Sequence, residues 1–80
     1  MKIGEAVTQR ILQLCKSEGI TINKLSDRAG MTQATLNNLV NGYHQNPTVS
    51  TIKKVCDGLE MTVVDFFNDD IFLNLEQEVE

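Results

Sequence analysis

The chain has 80 residues and a formal net charge of −4 at pH 7, a length that supports one small domain and leaves no room for a second. Its two cysteines, Cys15 and Cys56, are too few for a secreted disulfide scaffold and lack the paired spacing of a zinc site, which favours a reducing, cytoplasmic setting. The N-terminal stretch lacks the apolar core of a signal peptide, and no apolar run approaches the roughly 20 residues of a membrane span. We therefore expect a soluble, unprocessed protein without a membrane partner.

The charge is divided unevenly along the chain. Residues 1–56 hold all seven Lys and Arg residues and three acids, a net charge of +4, whereas residues 57–80 hold eight acids and no base, a net charge of −8. The negative net charge of the chain therefore comes from its C-terminal part, and residues 1–56 form a mildly basic body. This body is compatible with a nucleic-acid partner and predicts a modest salt dependence of binding.

The first predicted element is an amphipathic helix over residues 3–18, which Gly19 ends. Its apolar stripe consists of Val7, Ile11, Leu14 and Cys15. Thr21 is a good N-cap for a second helix at about 22–29, and Gly30 supplies the positive φ of a sharp turn.

The third predicted helix covers about 33–41, between the N-cap Thr32 and the terminating Gly42. Small polar side chains are concentrated on it, namely Gln33, Thr35, Asn37, Asn38 and Asn41. An ordinary helical hairpin has no reason to carry this set, because Lys and Glu form exposed helix more readily. The pair of helices is typical of a helix-turn-helix that presents hydrogen-bonding groups to DNA bases. Its expected buried residues are Leu25, Ala29, Leu36 and Leu39.

Pro47 ends a polar loop and leads into a fourth predicted helix at about 48–58. The apolar stripe of that helix would be Val49, Ile52, Val55, Cys56 and Leu59. Thr62 opens a short fifth helix, and residues 68–70 form a break. The last ten residues are ambiguous between a strand and a further helical turn. Their apolar members, Ile71, Phe72, Leu73 and Leu75, either fold back on the fifth helix or cover a partner.

At this point the chain resembles a known family. The pattern of Leu25, Ala29-Gly30-Met31, Leu36, Leu39, Asn41-Gly42, Pro47, Ile52, Leu59-Glu60-Met61 and Phe66 is similar to the phage Cro and repressor-type helix-turn-helix family, also called the XRE family. The likeness spans about residues 3–67. It implies an all-α, compact, five-helix lambda-repressor-like domain. We assign residues 1–70 to this domain and residues 71–80 to a short acidic C-terminal tail with an apolar start, a candidate dimerisation or partner segment. The resemblance also implies a dimer that binds operator DNA and regulates transcription, with repression as the expected sense.

The resemblance places the base-reading positions on the third helix, at Gln33, Ala34 and Asn38, with Asn37 nearby. Gln and Asn can form paired hydrogen bonds with adenine, each pair contributing about 1–3 kcal/mol of discrimination, and Gln33 is the first candidate. Ala34 would favour the methyl group of thymine. A set without Arg favours A·T-rich half-sites.

Phosphate contacts are expected from helix N-termini and from the loop after the third helix. The candidates are Thr21, Thr32, Thr35, Tyr43, His44, Gln45 and Asn46. These residues could instead serve only as caps and loop residues. The basic residues Lys24, Arg28, Lys53 and Lys54 are more often solvated charges, with phosphate contact as the alternative.

Two departures from the family pattern are informative. Ile22 stands where the family usually has a phosphate-clamping Gln, which puts that contact in doubt. Cys15 and Val40 stand where the family often pairs an Arg with a Glu. Since both partners are apolar together, we expect the two side chains to touch in the core.

The sequence offers no enzyme site, metal site or cofactor site. His44 stands without a ligand pattern, no nucleophile and base are paired, and the aspartates lack the spacing of a calcium loop. Two other functions stay open beside the DNA-binding homodimer. One is an antitoxin-type regulator whose acidic tail also grips a basic toxin, and the other is a protein-interaction module that does not bind DNA.

Overall fold

Five α-helices form the body of the protein in the computed structural model, which describes residues 1–42 and 46–79. They are α1 (Ile3–Glu18), α2 (Ile22–Ala29), α3 (Gln33–Val40), α4 (Val49–Gly58) and α5 (Val63–Phe67), followed by a 3₁₀ turn at Asp70–Phe72. Within the described ranges there is no strand, which confirms the all-α prediction. None of these helices is long and apolar enough to cross a membrane.

A threonine begins each of the four later helices. The hydroxyl of each N-cap accepts a hydrogen bond from the backbone N–H three residues ahead, and the caps are Thr21, Thr32, Thr48 and Thr62. Such a cap satisfies one of the amides that the first helical turn leaves unpaired. The predicted bounds were therefore correct to within one residue: Thr48 is a cap rather than the first residue of α4, and Asn41 caps the end of α3.

The core lies where α2 packs against both α3 and α4, with α1 and α5 closing it. Its largest fully buried side chains are Phe66, Ile11, Leu25, Leu36, Val55 and Cys56. α4 comes close to the end of α2 at Gly58, where a Cβ would lie 3.0 Å from the backbone nitrogen of Ala29. A side chain larger than hydrogen at residue 58 would separate α4 from the end of α2.

One residue of the predicted apolar stripes is exposed. Val49 was expected in the apolar stripe of α4, but it is 79% exposed. It is the first residue of the helix, directly after the Thr48 cap, and there it edges a surface groove instead of entering the core. The helical period alone does not reveal where along a helix its packing begins.

Arg10 fastens the C-terminal part of the chain to α1. Its guanidinium donates to the carbonyl oxygens of Phe66 at 2.7 Å and Asp65 at 3.0 Å, and it forms an ion pair with Asp69 at 3.2 Å. Only 11% of its side chain is exposed. The guanidinium thus binds the Phe66 carbonyl at the end of α5, shares the Asp65 carbonyl with the backbone N–H of Asn68, and pairs with the carboxylate of Asp69.

The segment after α5 folds back in part. The ring of Phe72 lies 4.8 Å from that of Phe67, and Ile71 and Leu75 are half-buried, whereas Leu73 is 71% exposed. The ambiguity between strand and helical turn resolves as a single 3₁₀ turn. Aromatic packing on α5 thus accounts for most of the apolar surface at the start of the tail.

Candidate nucleic-acid interface

The turn between α2 and α3 is built as the sequence predicts. Gly30 has φ 67°, in the left-handed region, and Met31 donates its N–H to the carbonyl oxygen of Ser26 at 3.0 Å. Ala29 is 8% exposed against the core. These bonds close the end of α2 within two residues, so the chain starts α3 at once.

Two leucines anchor α3 in the core and leave its opposite side outward. Leu36 is fully buried and Leu39 is 3% exposed. Gln33, Ala34 and Thr35 are exposed in the first turn, and Asn37 and Asn38 are half-buried beyond it. The structure therefore brings the four predicted base-reading residues together on one short helix.

Asn37 differs from the others because it faces α2. Its amide Nδ2 lies 3.5 Å from Asn23 Oδ1, at the outer limit of a hydrogen bond. Thr35 is also engaged: its hydroxyl oxygen lies 2.7 Å from that of Thr32, which in turn accepts the N–H of Thr35. Gln33 and Asn38 are thus the amide side chains of α3 that we consider available for bases.

The N-termini of α2 and α3 offer backbone donors. In each helix the cap hydroxyl accepts a hydrogen bond from the third backbone N–H, which belongs to Lys24 in α2 and to Thr35 in α3. The first two backbone N–H groups of each helix come before its first internal hydrogen bond and therefore have no partner within the helix. Such amides, at the positive end of the helix dipole, suit a phosphate oxygen. Thr21 and Thr32 therefore act as caps and still leave donors for an anion.

One of the four loop candidates lies among the described residues. Asn46 is exposed, and it precedes Pro47 and the cap of α4. Tyr43, His44 and Gln45 lie outside the described residues. Ile22, at the family's clamping position, is half-buried and packs against the core. Its side chain therefore stabilises the start of α2 and does not reach toward a phosphate.

The cations of the basic body differ in their surroundings. Lys53 pairs with Asp57 one turn along α4, and Arg10 is held by α5 and Asp69. Lys24 is exposed near the start of α2, while Arg28 lines an open polar recess together with Glu18, Asp57, Gly58, Leu59 and Glu60. Among the described residues, Lys2, Arg10 and Lys53 take part in ion pairs, whereas Lys16, Lys24, Arg28 and Lys54 are exposed and take part in none.

The cysteines belong to the core. Cys15 is 4% exposed and Cys56 is fully buried, and burial raises the pKa of both thiols, with the carboxylate of Asp57 as a further cause at Cys56. Val40 is half-buried at the margin of the same core. The contact between Cys15 and Val40 stays a prediction, which the stability of the Cys15→Arg variant would test. Among the described residues no group of side chains could hold a metal ion.

Two structural residues escaped the sequence reasoning. Ser26 is fully buried in α2, where its hydroxyl donates to the carbonyl oxygen of Asn23 at 2.7 Å. Arg10 lies outside the predicted apolar stripe of α1, and its contacts with the C-terminal part of the chain were not predicted. The helical period places Ser26 beside the buried Leu25, and its burial could have been predicted from that position. No local pattern, however, reveals hydrogen-bond acceptors that lie more than fifty residues ahead of Arg10.

The comparisons with known proteins agree with this geometry. A family model described as helix-turn-helix matches residues 11–66. The HTH-type transcriptional regulator SlrR of Bacillus subtilis (strain 168) is 35% identical over 60 residues, covering 74% of this chain and 40% of its own length. The HTH-type transcriptional regulator SinR of Bacillus licheniformis is 27% identical over 63 residues, covering 79% of this chain and 57% of its own.

A solved structure shares the fold. The crystal structure of the prophage Lp1 protein 11 superimposes with a TM-score of 0.76 at 38% sequence identity, covering 86% of this chain and 92% of that one. The chain spans about two-fifths of the first curated relative and somewhat over half of the second. Both are named as transcriptional regulators, which agrees with the prediction that the chain is not an enzyme. The chain belongs to the helix-turn-helix family, of the phage Cro and repressor type that its sequence resembles.

Proposed function

We propose that the chain is a DNA-binding transcriptional regulator that inserts α3 into the major groove of its operator. The observation that carries the proposal is the combination of a closed turn at Gly30 with an exposed polar first turn on α3. A helix anchored by two buried leucines can hold its outer side chains at a fixed depth in the groove. Family membership supports the same role. In this proposal the protein is cytoplasmic and its partner is double-stranded DNA.

Gln33 and Asn38 read bases in this proposal, with Ala34 against a thymine methyl group and Asn37 as a secondary contact. An amide side chain can donate to adenine N7 and accept from the adenine N6 amino group, so the pair favours A·T base pairs. The bond between Asn37 and Asn23 would have to open before Asn37 could bind a base. Loss of Gln33 should therefore cost more discrimination than loss of Asn37.

The protein is positioned on DNA by phosphate contacts. The N-terminal amides of α2 and α3, with Thr21, Thr32 and Thr35 beside them, supply one group of donors. The segment from Tyr43 to Asn46 supplies the other. These contacts carry no sequence information, so their loss weakens binding to every sequence about equally.

The expected assembly is a homodimer that represses transcription. A two-fold axis would set two copies of α3 roughly 34 Å apart, one turn of DNA, and would make the operator a palindrome. Residues 1–70 form the DNA-binding domain in this proposal, and residues 71–80 an appended acidic segment.

The test is fluorescence anisotropy on duplexes selected from a random pool, in low and moderate salt. The Gln33→Ala/Asn38→Ala variant should lose about 10- to 100-fold in affinity for the selected duplex, while its affinity for an unrelated duplex stays unchanged. Gln9→Ala, an exposed change on α1, is the matched control and should bind like wild type. If wild type selects no duplex and binds none at either salt concentration, the protein does not act through DNA.

A further inference from the structure

We infer that Lys2 is a further phosphate-binding residue and that, in the absence of DNA, Glu78 of the acidic tail pairs with it and so competes with the DNA phosphates. The inference rests on the proposed DNA binding and adds to it a residue outside the helix-turn-helix. It assigns the acidic tail a role as a competitor for the phosphate backbone, in place of a role in binding a second protein.

Lys2 lies at the same end of the molecule as the start of α4. It caps α1, and the residues directly after it, Ile3 and Gly4, form one wall of an apolar groove of about 270 Å³. Asn46, Pro47 and Val49 stand on the same groove. Asn46 is a candidate phosphate contact, and Lys2 directly precedes residues that line the same groove, so its flexible side chain would reach the same stretch of DNA backbone.

The tail crosses back over this end of α1. Glu76 donates its backbone N–H to the carbonyl oxygen of Met1 at 3.0 Å, and its carboxylate lies 3.3 Å from the Met1 nitrogen. Two residues later, the carboxylate of Glu78 lies 3.8 Å from the ammonium group of Lys2. The backbone bond sets the register that places Glu78 against Lys2.

The pair is suited to exchange because it is weak. The side chains of Lys2 and Glu78 are 51% and 52% exposed, so solvent screens their attraction. The DNA backbone presents a row of phosphate charges, and binding a cation to it releases condensed counterions, a gain that pairing with Glu78 does not provide. Lys2 therefore leaves the tail for the phosphate once DNA is bound, and the tail lowers the affinity by the strength of one exposed ion pair.

A double-mutant cycle on Lys2 and Glu78 tests the inference. Wild type, Lys2→Gln, Glu78→Gln and the double variant are titrated with a labelled mixed-sequence duplex over a series of salt concentrations. Glu78→Gln should bind about two- to five-fold more tightly than wild type, the strength of an exposed pair. In the Lys2→Gln background the same change should have no effect beyond that of removing a distant acid.

The salt dependence identifies the residue that gains the contact. Lys2→Gln should lower the slope of log affinity against log salt by about 0.9, the value of one phosphate contact, in the Glu78→Gln background. Glu60→Gln, which removes an exposed acid on a different surface, is the control for general repulsion and should leave the Lys2 effect unchanged.

The outcomes separate this inference from the proposed function. If Glu78→Gln strengthens binding equally with and without Lys2, or if Lys2→Gln leaves the slope unchanged, the tail acts only through its overall charge and the inference is wrong. If none of the variants, wild type included, binds the duplex at any salt concentration, DNA binding itself is refuted and this inference with it.

Discussion

Replacing Gly58 with alanine tests the packing that positions the recognition helix. A Cβ at residue 58 would lie 3.0 Å from the nitrogen and 3.2 Å from the Cα of Ala29, and both are backbone atoms at the end of α2. In an open helix, Gly→Ala would stabilise the fold by about 0.5–1 kcal/mol. Overpacking against backbone costs about 1–3 kcal/mol, since no side chain can rotate away. The cost exceeds the gain, and we expect Gly58→Ala to lower the free energy of unfolding by about 1–2 kcal/mol.

The assay is urea unfolding followed by far-UV circular dichroism. Ser50→Ala on the exposed part of the same helix is the control and should stay within about 0.5 kcal/mol of wild type. Because Ala29 adjoins the Gly30 turn, the folded Gly58→Ala variant should also bind selected DNA more weakly than the control. A Gly58→Ala protein as stable as wild type, or more stable, would refute the argument that α4 and α2 are in limiting contact.

Two further predictions concern Arg10 and the thiols. Arg10→Met removes a guanidinium that binds Phe66, Asp65 and Asp69 and should lower the free energy of unfolding in urea by about 2–3 kcal/mol. Arg10→Lys should recover less than half of this loss, because an ammonium group cannot reproduce the planar, forked geometry of a guanidinium. A loss below about 0.5 kcal/mol for Arg10→Met would contradict this role. Burial raises the pKa of the Cys15 and Cys56 thiols above that of an exposed thiol, so their contribution to stability is complete at pH values below the unfolded-state pKa and is lost as the pH rises through the folded-state pKa. Unfolding measured at increasing pH should show a decline above about pH 9 that the Cys15→Ala/Cys56→Ala variant lacks, and equal declines in both proteins would count against it.

The helices were predictable because their signals are local. Threonine caps mark the starts of α2 to α5, glycines with positive φ mark the ends of α1 and α2, and apolar stripes mark the inward sides, so α2 and α3 could be placed to within one residue. Val49 shows the limit of this reasoning, since a residue in phase with the stripe lies outside the packed part of α4.

The features that could not be predicted depend on contacts between distant parts of the chain. Arg10 binds carbonyl groups on α5, and Glu78 pairs with Lys2, across separations that no periodicity encodes. Glu60 has φ 55° where glycine would be expected after a helix, so composition gave no sign of the left-handed residue that closes α4. For the candidate site, the sequence predicted base-reading side chains on α3, but the bond between Asn37 and Asn23 appears only in three dimensions.

Parallel selection of binding sites by wild type and Gln33→Ala tests the central claim most directly. Each protein is used to enrich duplexes from the same random pool, and the selected sequences are compared base pair by base pair. We predict that wild type selects a palindrome with A·T-rich half-sites and that Gln33→Ala loses its preference at one base pair in each half-site while keeping the others. Identical selected sequences for the two proteins would contradict base reading by α3.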